Sequence, residues 1–245
     1  MDSVKSKKKS LTVINRNSLF PKVLILLLLI FIQTSVWAQS RKELSEMKPS
    51  FVSPVIVESM LGNNGVNLQT IFSKTFTPKS RFGIFGIGDL YGVYKTSEQA
   101  IRNQQMAQTH LTFRIVKGLN VSAGALFEKH SGFRPTLGLQ YNLFVKDFHL
   151  LLAPRVDLSQ TYNGEMLTIV EYTPTLKGNW KLYTRAQGLY NQDFKNDIHS
   201  VSYVWGRIGA SYKNYRFGVG GNYYWLGPRK ITDNNVGLFL GVLLF

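Results

Sequence analysis

The sequence contains no cysteine among its 245 residues. This absence excludes disulfide bonds and a lipid anchor attached to a cysteine. Histidine is scarce, with four residues, and no two of them have the spacing of a metal site. No long apolar run follows residue 40, which excludes a membrane-spanning helix in that part of the chain. The sequence therefore predicts no metal site and no cofactor.

An apolar run is present near the amino terminus, at residues 23–32, between a basic stretch and the letters TSVWAQS. This arrangement is typical of a secretory signal. The run is shorter than the roughly 20 residues that a spanning helix requires, so we favour a cleaved signal over an amino-terminal anchor. We expect residues 1–38 to be a cleaved signal peptide, residues 39–50 a short polar lead-in, and residues 51–245 a single domain.

Apolar and polar residues alternate along most of this domain. The segment at 215–226, YRFGVGGNYYWL, has aromatic and aliphatic side chains at nearly all its odd positions. A period of two places successive side chains on opposite faces of a strand. We expect twelve such segments, at 52–61, 66–76, 81–91, 106–116, 119–128, 133–145, 148–158, 165–176, 180–190, 200–212, 215–226 and 235–245. Their lengths fit tilted strands that cross a bilayer.

The connections between these segments are of two kinds. Those after even-numbered segments are short, whereas most of those after odd-numbered segments are longer. Short turns on one rim and longer loops on the other are typical of outer-membrane barrels, in which the short side is periplasmic. We therefore predict an all-β fold: a transmembrane antiparallel up-and-down β-barrel of about 12 strands, with 10 or 14 as alternatives. An even number of strands would leave both termini in the periplasm.

The two faces of the predicted strands differ in charge. By alternation, the outward face carries almost no charged residue, and the exceptions, Lys74 and Lys129, lie at strand ends where a long side chain can reach the interface. A charge at the middle of a bilayer costs about 2–4 kcal/mol, so the pattern favours a surface that faces lipid.

Arginines and carboxylates are then assigned to the lumen. Counting across the turns places Glu128 opposite Arg134 and Glu171 opposite Arg185, and makes Arg207 a diagonal neighbour of Arg185. The candidate residues lining the lumen are Arg114, Glu128, Arg134, Arg155, Glu171, Arg185, Arg207 and Arg216. A barrel of this size lies between filled eight-stranded barrels and open porins, so both a filled interior and a narrow open path stay possible.

The last segment, NVGLFLGVLLF, ends on Phe245. With this ending the chain resembles the outer-membrane β-barrel class, whose members commonly end in a strand that closes on an aromatic residue. The resemblance covers the chain after the signal and identifies no specific family. It implies a place in the cell outer membrane, contact with outer-membrane lipids and lipopolysaccharide, and recognition of the last strand by the barrel-insertion machinery. Cleavage between Ala38 and Gln39 resembles signals frequent in Bacteroidota.

Three functional hypotheses follow. The first is a small non-enzymatic channel for polar or anionic solutes, with a polar, net-basic lumen. The second is a structural or accessory subunit of an outer-membrane protein complex, whose barrel is filled by side chains and which contacts a protein partner. A net charge of +15 could indicate nucleic acid binding, but secretion and inward-facing arginines argue against it.

The third hypothesis is a lipid-modifying outer-membrane enzyme. Such enzymes need a nucleophile, a base and an orienting group within hydrogen-bond reach. The histidines are assigned to the lumen or to the longer loops, and none to the lipid face: His110, His149, His130 and His199. Ser200 and Ser202 near His199 form one cluster worth testing. We predict no catalytic residue.

Overall fold

The computed structural model describes residues 54–94, 103–129 and 131–244. Within these ranges the chain forms thirteen β-strands. They are β1 (Val55–Gly62), β2 (Gly65–Thr75), β3 (Phe82–Val93), β4 (Gln104–Val116), β5 (Leu119–Glu128), β6 (Gly132–Val145), β7 (Phe148–Asp157), β8 (Asn163–Tyr172), β9 (Thr175–Lys177), β10 (Trp180–Asp193), β11 (Ile198–Tyr212), β12 (Tyr215–Leu226) and β13 (Ile231–Leu244). No helix in this part of the chain is long and apolar enough to span a membrane.

Twelve of the strands close into an antiparallel barrel. Strands β1 to β8 pair in chain order, β10 pairs with both β8 and β11, and β13 returns to pair with β1. The three-residue strand β9 pairs only with β10. Val55 and Leu244 are register partners, so the two described chain ends lie at the same rim. The prediction of a closed all-β barrel of 12 strands is confirmed.

The strand bounds differ from the expected ones at most strand ends, and three of the differences matter most. The predicted strand at 165–176 is interrupted after Tyr172, and Pro174, which has no N–H to donate, precedes β9. Strand β10 extends to Asp193 and β13 begins at Ile231, both beyond the expected ends. The polar residues there were expected in loops, but pairing with neighbouring strands overrides local preference.

The connections between strands lie at two rims, and their lengths overlap more than the sequence predicted, because 76–81 and 173–179 on one rim are longer than 63–64 on the other. What we call the turn rim carries the connections at 76–81, 117–118, 146–147, 173–179 and 213–214, together with the described chain ends. What we call the loop rim carries the connections at 63–64, 158–162, 194–197 and 227–230, together with the end of β3, the start of β4, the end of β5 and the start of β6. Lys146 and Lys213 both have a φ of 51°, and a positive φ at this position is what two-residue hairpin turns require. The flanking residues, Val145 with Phe148 and Tyr212 with Tyr215, are register partners as predicted.

The outer surface of the barrel is apolar. Side chains that alternate with the lumen positions are exposed, such as Ile208 (56%) and Leu238 (68%). Further exposed apolar residues of this surface are Leu68, Leu90, Leu111, Val121, Phe127, Leu137, Val204, Val219, Val236 and Leu240. Monomeric soluble proteins rarely expose so much contiguous apolar surface. The surface fits a hydrocarbon environment, as the alternation predicted.

Several expectations fall on residues outside the described ranges. They are the signal peptide at 1–38, the lead-in at 39–50, the position of His130 and the closing aromatic Phe245. These stay predictions.

Candidate functional site in the barrel lumen

Two arginines meet at the middle of the lumen. Arg185 on β10 and Arg207 on β11 are direct register partners, and both side chains are buried. The expected diagonal arrangement is therefore wrong. Strands β10 and β11 extend further toward each other along the chain than expected, which shortens their connection. In addition, a β-bulge between Asn191 and Gln192 shifts the register by one residue.

Acidic and amide side chains hold this arginine pair. The Arg207 Nε donates to Glu58 Oε1 at 2.8 Å, and the second carboxylate oxygen of Glu58 lies 3.9 Å from Arg185 Nη1. The Arg185 Nη2 donates to Gln69 Oε1 at 2.6 Å and also to Gln187. Because Gln69 lies on β2, the contact with Arg185 on β10 spans the lumen. Side chains therefore narrow the interior at mid-height.

Glu171 organises the turn-rim side of the arginine pair. It is the register partner of Arg185, as predicted, and its Oε1 lies 3.2 Å from Arg216 Nη1 and 3.9 Å from Arg185 Nε. The Tyr183 hydroxyl donates to the same oxygen at 3.2 Å, and the Arg216 guanidinium stacks over the Tyr183 ring at 4.5 Å. His149 lies 3.8 Å from the other carboxylate oxygen. This site residue is thus shared between three basic side chains.

An alternating series of charges lines the loop-rim half. Arg134 bonds Glu128 at 2.9 Å and Asp157 at 2.8 Å, and Arg155 bonds Asp157 and makes two bonds to Glu165, at 2.8 and 2.7 Å. Buried charges of this kind are stable only when each is paired and hydrogen-bonded. The series therefore ties β5, β6, β7 and β8 together.

Glu128 does not lie directly opposite Arg134, although the sequence predicted that it would. Its register partner is Gly132, and Arg134 pairs with Leu126. Strand β6 begins at Gly132, one residue earlier than predicted, so the connection is shorter and the register is offset. The ion pair still forms because a long arginine side chain reaches its diagonal neighbour.

Arg114 stands apart from the other predicted residues. It is half-buried at the turn rim, where its Nη2 donates to the carbonyl oxygen of Ser80 at 3.0 Å. The structure therefore brings two groups of predicted residues together. Glu171, Arg185, Arg207 and Arg216 lie between mid-height and the turn rim. Glu128, Arg134 and Arg155 lie in the loop-rim half. Arg114 belongs to neither group.

A cluster of aromatic side chains lines the lumen and was not anticipated. The Tyr91 and Tyr224 rings stack at 4.9 Å, the Tyr203 and Trp205 rings stack at 4.6 Å, and Arg207 lies over the Trp205 ring at 5.6 Å. Alternation alone could have found the cluster, since Tyr203 and Trp205 share the parity of Arg207.

Among the residues that the structure describes, the lumen is not net basic. Carboxylates outnumber basic groups in the loop-rim half, where Asp89, Glu128, Asp157, Glu165, Asp193 and Asp233 face Arg134 and Arg155. Basic groups outnumber carboxylates at mid-height and toward the turn rim, where Arg114, Lys181, Arg185, Arg207 and Arg216 face Glu58 and Glu171. The expectation of a net-basic lumen is wrong because the longer strands β10 and β13 turn Asp193 and Asp233 inward.

Eight buried polar atoms in the described part of the lumen have no hydrogen-bond partner. Five surround the arginine pair: Glu58 Oε2, Gln69 Nε2, Arg185 Nε, Trp205 Nε1 and Arg207 Nη2. The other three are Gln108 Oε1, Ser122 Oγ and Gln140 Nε2, which line a cavity of about 10 Å³. A second cavity, of about 40 Å³, lies in the loop-rim half. Buried polar atoms are nearly always partnered, so these positions call for water or solute.

His199 and Ser202 form a hydrogen-bonded pair near the loop rim. The Nε2 of His199 lies 2.8 Å from Ser202 Oγ, and its Nδ1 lies 2.9 Å from the carbonyl oxygen of Gly227. Ser202 is the register partner of Tyr190, which is exposed, and the Tyr190 and His199 rings are 5.9 Å apart. The pair therefore lies on the outer side of the barrel wall beside the loop rim, where the sequence placed His199 next to a longer loop. Ser200 faces inward, where its hydroxyl accepts a hydrogen bond from Asn163.

Among residues 54–94, 103–129 and 131–244, no group of three or more His, Asp or Glu side chains is placed to hold a metal ion. Fold and lumen together define a closed β-barrel with an apolar exterior and a charged, narrowed interior. This is the class that the sequence pattern predicted.

Comparison with known proteins finds no matching family model and no matching curated protein. Several solved structures are similar to the chain at low identity. The NanC porin is 13% identical, with 78% of this chain and 99% of that one covered and a TM-score of 0.46. The KdgM porin in complex with disordered oligogalacturonate is 11% identical, with 79% and 99% covered and a TM-score of 0.44. The outer membrane protein OprD from Pseudomonas aeruginosa is 13% identical, with 69% and 55% covered and a TM-score of 0.36.

Proposed function

We propose that the chain is an integral outer-membrane β-barrel that acts as a narrow channel for small polar solutes, with its constriction at Arg185 and Arg207. The turn rim faces the periplasm in this proposal. An apolar exterior and a charged interior suit a barrel whose outer wall contacts lipid and whose interior contacts water. Contact with lipopolysaccharide and recognition of the last strand by the insertion machinery belong to the same proposal.

The unpartnered polar atoms around the arginine pair carry this proposal. An interior that served only to fill the barrel would satisfy its buried polar atoms, because each unsatisfied one costs about 1–3 kcal/mol. Five such atoms lie on or around the arginine pair at mid-height. Water or solute entering the constriction would satisfy them, and a hydrated constriction is what a solute path requires.

Ion selectivity tests the channel. Wild-type barrel in a planar bilayer should conduct, and Arg207→Gln should lower its anion preference. At about 8 Å in water a unit charge contributes about 0.5 kcal/mol, so the permeability ratio should fall by about twofold. Arg114→Gln removes the same charge from the turn rim and should have a smaller effect. Silent insertion of the folded wild-type barrel would contradict the channel, and stable co-purification with another protein would then support an accessory subunit.

A second candidate function rests on the His199–Ser202 pair. If the Ser202 hydroxyl donates to Nε2, then Nδ1–H donates to the Gly227 carbonyl oxygen, which orients the ring as a triad's third member does. The serine would then be a nucleophile on the outer surface, accessible to lipid.

Phospholipid hydrolysis in mixed micelles tests this candidate. Turnover by the wild-type barrel should fall at least about a thousandfold in Ser202→Ala, because the nucleophile is lost. Ser200→Ala, which removes a neighbouring inward hydroxyl, should keep the activity. Absence of turnover in the wild type, or equal turnover in Ser202→Ala, would exclude an enzyme at this site.

A further inference from the structure

The loop-rim cavity has an unusual wall. Three carboxylates, Asp89, Glu128 and Glu165, line it together with one cation, Arg155, and the rings of Tyr91, Tyr203 and Tyr224. Its volume of about 40 Å³ has room for a small polar group, given that a site for one water molecule needs about 10–15 Å³ of such volume. The cavity therefore fits the end group of a solute.

Two of the three carboxylates are already neutralised. Glu128 pairs with Arg134, and Glu165 accepts two hydrogen bonds from Arg155. Asp89 differs: it is 8% exposed and accepts a hydrogen bond from Asn67 Nδ2 at 3.0 Å, and no described residue forms an ion pair with it. A buried carboxylate without a cation is costly. A cationic group in the cavity would supply the missing partner.

The aromatic rings beside Asp89 favour the same kind of ligand. Tyr91 and Tyr224 stack at 4.9 Å, and the Tyr203 ring meets Tyr224 edge-on at 5.9 Å. Ring faces attract ammonium groups, and a nearby carboxylate adds to that attraction. Carboxylate and aromatic wall together fit an ammonium better than a neutral hydroxyl.

The arginine pair lies one side chain away from Asp89. Gln69 is the register partner of Asp89, and Gln69 Oε1 accepts a hydrogen bond from Arg185 at 2.6 Å. Around this point four buried donors lack a partner, on Gln69, Arg185, Trp205 and Arg207, against one acceptor, on Glu58. An excess of unpartnered donors between two arginines fits a carboxylate or a similar anion.

We propose that the cavity and the arginine pair together form a binding site for a small zwitterion. The ammonium group binds at Asp89 and the tyrosine rings, and the carboxylate binds at Arg185 and Arg207. The proposal rests on the channel function for its transport role, since it names the solute class of that channel. Amino-acid-like solutes carry this pair of charges.

Equilibrium binding to the detergent-solubilised barrel tests the site, with β-alanine, propionate and ethylamine as probes. β-Alanine carries both charges, and each of the other two carries one. We expect β-alanine to bind at least about tenfold more tightly than either, because one additional charge-assisted hydrogen bond raises the affinity by about that factor. Equal binding of β-alanine and propionate would overturn the proposal, and this comparison needs no variant.

A variant at Asp89 tests which end of the site binds the ammonium group. Asp89→Asn should weaken β-alanine binding about tenfold and leave propionate binding unchanged. Asp193→Asn removes the same charge from the same half, but that carboxylate accepts hydrogen bonds from the 194–197 turn, so β-alanine binding should not change. Equal loss of β-alanine and propionate binding in Asp89→Asn would overturn the assignment. Heat-modifiable gel mobility confirms that each variant is folded.

The binding measurement and the conductance measurement test the two proposals separately. A barrel that binds β-alanine but does not conduct contradicts the channel and keeps the site. A barrel that conducts but binds β-alanine no better than propionate keeps the channel and overturns the site.

Discussion

At the scale of single residues, charge pairing decides what the lumen can do. Arg155 is neutralised by Asp157 and Glu165, whereas Arg185 and Arg207 share carboxylates and keep unpartnered donors. Residues of the same type thus have different roles at two heights. Arg155 holds strands together, whereas Arg185 and Arg207 keep donors that have no hydrogen-bond partner.

This difference predicts the stability of one variant. Arg155→Met leaves the buried carboxylate of Glu165 without its cation and leaves Asp157 with Arg134 alone, so the free energy of unfolding should fall by about 3–5 kcal/mol. Arg229→Met removes an exposed arginine of the loop rim and should change it by less than about 0.5 kcal/mol. Urea unfolding of both variants in lipid vesicles measures the difference. Equal stability of the two variants would show that the charged series does not hold the barrel together.

At the scale of the strands, glycine permits a close approach. Gly209 on β11 and Gly218 on β12 are register partners, and a Cβ on Gly209 would lie 2.0 Å from the carbonyl oxygen of Phe217. Backbone atoms cannot move aside as a flexible side chain can. The two strands therefore approach each other at a point where no other residue fits.

Gly209→Ala should weaken the barrel by about 1–3 kcal/mol, because the methyl group forces the two backbones apart. Gly206→Ala lies on the same strand, and its added Cβ would meet no atom within 4 Å, so it should be close to neutral. The fraction of protein that runs as the folded form on unheated gels reports the effect. A folded fraction equal to that of Gly206→Ala would contradict this account of the β11–β12 contact.

At the scale of the whole molecule, closure of the sheet creates the site. Glu58 and Arg207 are 149 positions apart in the chain, and Gln69 and Arg185 are 116 apart. The pairing of β13 with β1 completes the ring that brings them together. Without that closure neither the arginine pair nor Asp89 would lie in an enclosed lumen, and the exposed strand edges would invite aggregation.

Much of this architecture could be predicted from the sequence, because it depends on local periodicity. Alternation of side chains, turn lengths and the apolar outward face follow from residues two to twenty positions apart, and they determined twelve strands and the inward placement of Arg185, Arg207 and Glu171. Glu171 opposite Arg185 was predicted because a short turn propagates the register.

Only the tertiary structure decided the charge pattern and the contacts across the lumen. The bulge at Asn191 placed Arg207 directly opposite Arg185, and extension of β10 and β13 turned Asp193 and Asp233 inward. Register after a bulge depends on the neighbouring strands, and contacts between strands that are not adjacent depend on barrel closure. Neither is encoded in a local pattern, so the contacts in the lumen, unlike the alternation of the barrel wall, could not be predicted from the sequence.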